Sequence, residues 1–249
     1  MSHLQLTAAI LRLPNGAQIT AFGLTTVGFA SAARLLRGVS TGGAAVGGAV
    51  CFLLMLAAGW GGFAALCTVF VLTWVATRVG YQRKQQLGSA ERRGGRNAGQ
   101  VLANLGVAGV AALLYFWLHN PRLLAALSAA LSEVAADTLS SEIGTFLGGT
   151  PRLLTTWEAV PAGTDGAITW LGTLVSLAAA LLVSLASATT HVFPFRNLPP
   201  CIAAAIFGTL VDSLLGATLE QKGVLGNNGV NFLSTACAAV LAFALIGRS

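Results

Sequence analysis

The chain has 249 residues, of which 55% are apolar and only 9% charged, and its mean hydropathy is +0.76. Soluble domains carry about 25% charged residues, so a water-soluble fold is excluded: no core of this length hides so much apolar surface. The net charge of +6 comes from bases in short loops between apolar segments, which points to membrane topology and away from nucleic acid.

The opening stretch MSHLQLTAAILRLPNG lacks a basic start leading to a long apolar core and a small-residue cleavage site, and is not read as a signal peptide. Apolar segments then follow at about 17–33, 39–59, 60–80, 99–118, 121–147, 167–190, 198–218 and 229–247. Several approach the roughly 20 residues that span a bilayer. The expected fold is all-α, a polytopic transmembrane bundle of about seven or eight helices, seven if the first segment lies at the interface. It forms a single integral-membrane domain over 1–249, with cytoplasmic loops at 81–98, 148–166 and 219–228. The second and third segments abut at AAGWGG, which predicts a tight turn. The stretch GVSTGGAAVGGAV places glycines at helix-packing spacing. Cys51, Cys67, Cys201 and Cys237 lie far apart inside apolar runs, with no CxxC pair, and read as small buried residues.

Counting segments alternately puts ten of the fourteen bases on one side, six of them at Arg78, Arg83, Lys84, Arg92, Arg93 and Arg96. The positive-inside bias makes that side cytoplasmic, in the inner membrane of a bacterium or archaeon. The eight acids are the rarest chemistry in the chain, and Glu133, Asp137 and Glu142 fall within ten positions of each other in EVAADTLSSEIG. Carboxylates in a membrane helix cost about 2.5–3.5 kcal/mol each on insertion scales, and persist where they pair or line a wet cavity. On a helix Glu133, Asp137, Ser140 and Ser141 share a face, whereas Glu142 lies about 140° around from Asp137. A break near Gly144 or a group from a second helix is needed to complete a site.

Three further stretches join it. GGTPRLLTTWEAVPAGTDGAITWLGT, from Gly148 to Thr173, offers hydroxyls and exposed backbone N–H groups suited to phosphate, without matching a P-loop or a dinucleotide fingerprint. GTLVDSLLGATLEQKG starts a helical stripe at Asp212 that continues through Gly216 and Glu220. An aspartate there could meet Asp137 and Glu142 across the bundle and hold Mg²⁺, which takes oxygen ligands and is commonly shared with phosphates. NNGVN adds amides at Asn227 to Asn231, and Gln100 and Asn104 sit at the start of the fourth segment, where Asn104 is expected to face the polar interior. His119 and His191 lie at the other side, away from the acids, and there is no GxSxG motif.

The order of GYxxKxxLG…QVxANxG, ADTxxSEIG…GGxPRLxTT…VPxGTxGA and DSLLGATLxxxG…NNxVN resembles an integral-membrane family over about residues 20 to 247. That family includes the plant chloroplast phytyl-phosphate kinase of tocopherol synthesis and many bacterial and archaeal members. It also looks distantly related to CTP-using membrane enzymes such as dolichol kinase and phosphatidate cytidylyltransferase. The resemblance implies Mg²⁺-dependent phosphoryl transfer from a nucleoside triphosphate, with CTP favoured, to an isoprenoid monophosphate such as phytyl or geranylgeranyl phosphate. By motif, Asp137, Ser141 and Glu142 would lie at the phosphate and Mg²⁺ centre, and Asp212 in the second metal-binding segment. Arg152, Thr155 and Thr164 would belong to the nucleotide-phosphate loop, and Lys84, Gln100 and Asn104 match a third motif. Asn228 and Asn231 fall in the last one. The competing expectation is a transporter or flippase for an anionic lipid or a cation, built on the intramembrane acids.

Overall fold

The computed structural model describes residues 14–247 apart from Ser89, Arg92, Arg93 and Gly148. The leader reading and the positions Arg12, Arg92, Arg93, Gly148 and Arg248 therefore lie outside the described residues. Helices account for nearly every segment, because long apolar runs in lipid must satisfy their backbone groups internally. In chain order they are α1 (Gly16–Leu35), α2 (Thr41–Arg78), the short α3 (Tyr81–Gln86), α4 (Ala98–Leu118), α5 (Arg122–Leu147), α6 (Trp170–Thr189), α7 (Leu198–Leu215) and α8 (Asn227–Leu245). A two-residue antiparallel ladder, β1 (Arg152–Leu153) on β2 (Ala167–Ile168), closes the loop between α5 and α6.

Six of these helical stretches are long and apolar enough to cross a membrane. One of them, α2, is a hairpin of two crossings. Gly59 sits at φ +58°, ψ −143°, a conformation that only glycine adopts cheaply. The chain doubles back there: Arg78 and Trp74, near the end of α2, both donate to the carbonyl of Leu36, just before its start. The AAGWGG turn is thus the hairpin tip, and the described bundle has seven crossings plus α1. Helix α1 packs along both arms, through Thr26 on Cys51 in the first and through Phe22 on Trp60 and Phe29 on Phe63 and Phe70 in the second.

The described residues of the loops 36–40, 79–97, 149–169 and 221–226 gather at one face, which carries most of the described bases. The hairpin tip lies at the other, where Gly61 meets Thr190 and Val192. Helix α5 is the axle of the bundle. Buried residues make up 78% of its most apolar window, against 28–44% for the other spans, although its hydropathy, 1.3, is the lowest of the six. The two observations share a cause: lipid selects for apolar residues only on exposed helices, while an enclosed helix needs small side chains for close packing and can carry polar ones. The run AALSAALSEVAA meets that need, and Ala125, Leu127, Ala129, Ala130, Leu131 and Ala135 are fully enclosed. Conversely, Leu102, Val110, Leu174 and Val240 are exposed on the outside of the bundle, where the acyl chains lie.

Candidate functional site

A polar cavity of about 380 Å³ opens at the basic face, between the C-terminal half of α5, the end of α7 and the loop that precedes α6. Helix α5 lines it with Asp137, Ser140, Ser141 and Glu142; α7 adds Asp212 and Ser213; Asn227 stands at the start of α8. Asp137 and Asp212 face each other across the α5–α7 interface, with Arg96 in electrostatic reach of Asp137. Below them Glu133, only 1% exposed, lies beside Ser234 of α8. Gly208 allows this approach: a Cβ there would stand 2.6 Å from Glu133 Cγ and 2.9 Å from Ala238 Cβ. Glu133 Oε1 and Asp212 Oδ2 are buried without a hydrogen-bond partner among the described residues. Such orphaned oxygens are costly, and their clustering marks a place built for a ligand.

The 140° separation of Glu142 from Asp137 is bridged by the breadth of the cavity, without any helix break at Gly144, since α5 runs on to Leu147. Glu142 is held on its own side by Lys84 of α3. The ammonium of Lys84 is buried, donates to the carbonyls of Ala76 and Thr77 at the end of α2, and forms an ion pair with Glu142. Lys84 therefore anchors α3 and the end of α2 to α5 and sets the charge on the cavity wall.

The loop side was only half legible. Thr164, Asp165 and Gly166 line the cavity, and they are pinned by a feature absent from the helical stripe expected after Asp212. After Leu215 the chain widens into a π-helical turn, Gly216–Glu220, where Gln221 N–H donates to Gly216 O at 3.2 Å. π-Helical turns are rare and frequent at functional sites. This one swings Glu220 into the cavity wall and offers a flat glycine face at Gly216. Gly166, at φ +74°, docks there so closely that a Cβ would meet Ala217 N at 2.1 Å. Gln221 completes the clasp by donating to Asp165 O at 2.8 Å. Glu220 is one of the cavity residues that the predicted set lacked, with Ser140, Asp165, Ser213 and Asn227; its place in the stripe Asp212, Gly216, Glu220 was the available signal.

Other predicted positions lie apart from the cavity wall. Arg152 is exposed and donates to the carbonyl of Trp157 within the hairpin turn that also carries the exposed Thr155. Gln100 closes a capping box with Asn97 at the start of α4 and donates to Glu91. Asn104 faces inward as expected, where it accepts from Asn231 of α8 at 3.1 Å, an amide pair that ties α4 to α8. Asn228 sits against Gly99 at the same junction. These amides order the helix ends around the site and do not line the cavity.

The family model for the integral membrane protein DUF92 matches residues 24–239. A membrane protein of Methanocaldococcus jannaschii is 35% identical over 191 residues, 76% of this chain and 78% of that one. Two Arabidopsis thaliana proteins are also similar. The chloroplastic protein VTE6 is 32% identical over 225 residues, 84% of this chain and 65% of its own length; protein PGR is 33% identical over 240 residues, 76% of this chain and 83% of its own. No solved structure matches the chain. Sequence match and helical architecture agree, and the chain belongs to the DUF92 family of integral membrane proteins.

Proposed function

We propose that the chain is a phosphotransferase that moves the terminal phosphoryl group of a nucleoside triphosphate, CTP by preference, to an isoprenoid monophosphate such as phytyl or geranylgeranyl phosphate. The observation that carries this reading is the cavity itself. Its floor is made of carboxylates set into the membrane, its rim is a glycine and threonine loop, and it opens on the basic face. A site for charged phosphates at the end of a lipid-facing bundle needs these three parts. In the reaction an oxygen of the lipid monophosphate attacks the γ-phosphorus, the bond from that phosphorus to the bridging oxygen breaks, and the nucleoside diphosphate leaves. Positioning and charge stabilisation are what such a transfer requires of a protein, and no covalent residue is needed.

The donor set fits Mg²⁺. Asp137 and Asp212 are hard oxygen ligands, and Asp212 Oδ2 is a buried acceptor that lacks a partner among the described residues. Among those residues no three acids converge as a ready-made cage. Mg²⁺ is commonly held by one or two carboxylates plus water and substrate phosphate, and bound there it would neutralise phosphate charge. Ser141, Thr164 and the backbone N–H groups of the 162–166 loop orient phosphate oxygens, and Arg96 offsets negative charge beside Asp137. The bases at this face support a cytoplasmic location for it under the positive-inside rule.

Transport explains the geometry less well. The acids sit toward one face, and one turn beneath Glu133 the bundle is closed by the enclosed Ala129, Ala204 and Ala242. The test uses purified protein with phytyl, farnesyl or geranylgeranyl phosphate, Mg²⁺ and each of the four triphosphates. Lipid diphosphate together with nucleoside diphosphate is the expected product pair. Release of pyrophosphate instead identifies a nucleotidyl transfer, and equal turnover by Asp137→Asn removes the carboxylates from the mechanism.

A further inference from the structure

A second cleft lies between α1, both arms of α2, α4 and α5, and it has two chemically distinct halves. Its mouth, about 260 Å³ at the basic face, is framed by Arg37, Arg78 and Arg96 with Trp74 and Tyr81. Its inner arm, about 70 Å³, runs between α1, both arms of α2, α4 and α5 and is walled by apolar and glycine surface such as Gly47, Gly48, Leu66 and Val134. The two halves share Val39, Phe70, Thr73 and Arg96, so they adjoin at those four side chains.

We infer that this cleft holds the isoprenoid monophosphate, with its phosphate among Arg37, Arg78 and Arg96 and one aliphatic chain in the glycine-walled arm. The inference rests on the phosphotransferase reading for its purpose but not for its geometry. Charge decides the head group. Arg37 and Arg78, with Arg96 shared between Glu91, Thr138 and Asp137, leave the mouth net positive among the described residues, as a phosphate monoester of about −1.5 to −2 requires. The arginines are also held in place. Arg78 stacks on Trp74, 3.9 Å from the ring centroid, and is tied to the carbonyl of Leu36. Arg96 is sewn into the 36–40 loop by backbone bonds to Gly38 and Ser40. Volume decides the tail. At about 70 Å³ the arm, bordered by Gly43, Gly47 and Gly48, admits the phosphate-proximal end of a single chain and not two chains.

Arg96 then links the two sites. It lines both halves of the cleft, and its guanidinium donates to Thr138 Oγ1 at 3.3 Å, next in sequence to Asp137. A lipid phosphate on Arg96 is thereby presented to the carboxylate cavity.

The test measures binding to the purified full chain in neutral detergent, without triphosphate or Mg²⁺. Farnesyl monophosphate should bind at least roughly tenfold more tightly than farnesol, inorganic phosphate or dioleoyl phosphatidic acid, and Arg37→Gln and Arg78→Gln should each weaken it about tenfold, the weight of a charge-assisted hydrogen bond. Gly47→Leu should weaken farnesyl monophosphate while leaving inorganic phosphate binding as it was. Gly47→Ala serves as the milder variant, since its Cβ would meet only Val101 Cγ1, at an ordinary 3.6 Å; it should give a smaller loss that grows with chain length. Equal affinity for phosphatidic acid, or affinities for farnesyl monophosphate unmoved by the arginine and Gly47 changes, would overturn the assignment. Binding as expected with no turnover leaves the cleft standing and sinks the kinase reading. Turnover whose KM for lipid ignores all four variants does the reverse.

Discussion

The ion pair between Lys84 and Glu142 separates two roles that sequence alone cannot tell apart. If Lys84 held a nucleotide phosphate, Lys84→Met would raise KM for the triphosphate and leave the fold intact. The structure gives it another task, because its ammonium is enclosed by Ala76 O, Thr77 O and the Glu142 carboxylate, with side-chain exposures of 1% for Lys84 and 13% for Glu142. Removing one member of a buried pair strands the other and typically costs about 3–5 kcal/mol. The lower end applies here, since Glu142 borders the cavity and keeps some contact with water. About 3 kcal/mol corresponds to a fall in Tm of roughly 6–12 °C for a chain of this size. The assay is thermal unfolding in detergent of Lys84→Met, Glu142→Gln and the double variant. The double variant should lie well above the sum of the singles, with a coupling of about 1.5 kcal/mol or more, because the two stranded charges vanish together. Full recovery is not expected, as the two carbonyls of α2 stay unpaired. A Tm for Lys84→Met within about 1 °C of wild type, or strictly additive losses, would refute the anchoring role.

Three further substitutions probe the framework. Gly166→Ala places a Cβ against Ala217 N at a positive φ, so it should release the 151–168 loop from the π-helical turn; faster limited proteolysis in that loop and at least a tenfold loss of turnover are expected, with little change in Tm. Gly208→Ala forces apart α5, α7 and α8 at Glu133 and Ala238, and a loss of about 1–3 kcal/mol should appear in thermal unfolding. Asn104→Ala strands the amide of Asn231, and a stability loss of about 1 kcal/mol, measured the same way, is the size found for hydrogen bonds between membrane helices.

Helix positions were legible because lipid leaves the backbone little choice, so apolar run length translates into span. Even the hairpin could be read from AAGWGG, where Gly59 supplies the reversal. The acidic floor was legible for the same reason: carboxylates as expensive as Asp137 and Asp212 have few uses in a membrane. The rim was not. Whether a threonine or arginine in a glycine-rich loop faces inward depends on how the loop docks, and docking here depends on a π-helical turn at Gly216–Glu220. Nothing in the 3.6-residue pattern announces that turn, and so Glu220 escaped the predicted set while Arg152 and Thr155 entered it. The amides Asn104 and Asn231, expected at the substrate by motif, are paired with each other, and Asn104 also borders the apolar arm beside α4.

Glu133 is the hardest residue to justify and for that reason the most informative. It is enclosed, one of its oxygens has no hydrogen-bond partner among the described residues, and Asp137 and Asp212 are both within its electrostatic reach. The three acids interact electrostatically without forming a ready-made cage, and a Mg²⁺ ion held by Asp137 and Asp212, as proposed, would offset their mutual repulsion. A divalent ion that binds the folded state alone should therefore stabilise it, by about 2.7 kcal/mol at a hundred times its Kd. That predicts a rise in Tm of roughly 5–10 °C when Mg²⁺ replaces chelator, without any substrate present. Glu133→Gln should raise the Tm in chelator, because its repulsion with Asp137 and Asp212 is gone, and shrink the Mg²⁺-dependent rise, because a nearby negative charge is gone with it. Such opposed effects are the usual trade between stability and function at a binding site. A Glu133→Gln variant that melts lower than wild type in chelator would make the residue a structural hydrogen-bonder, and a wild-type Tm indifferent to Mg²⁺ would remove the cation from the carboxylate floor altogether.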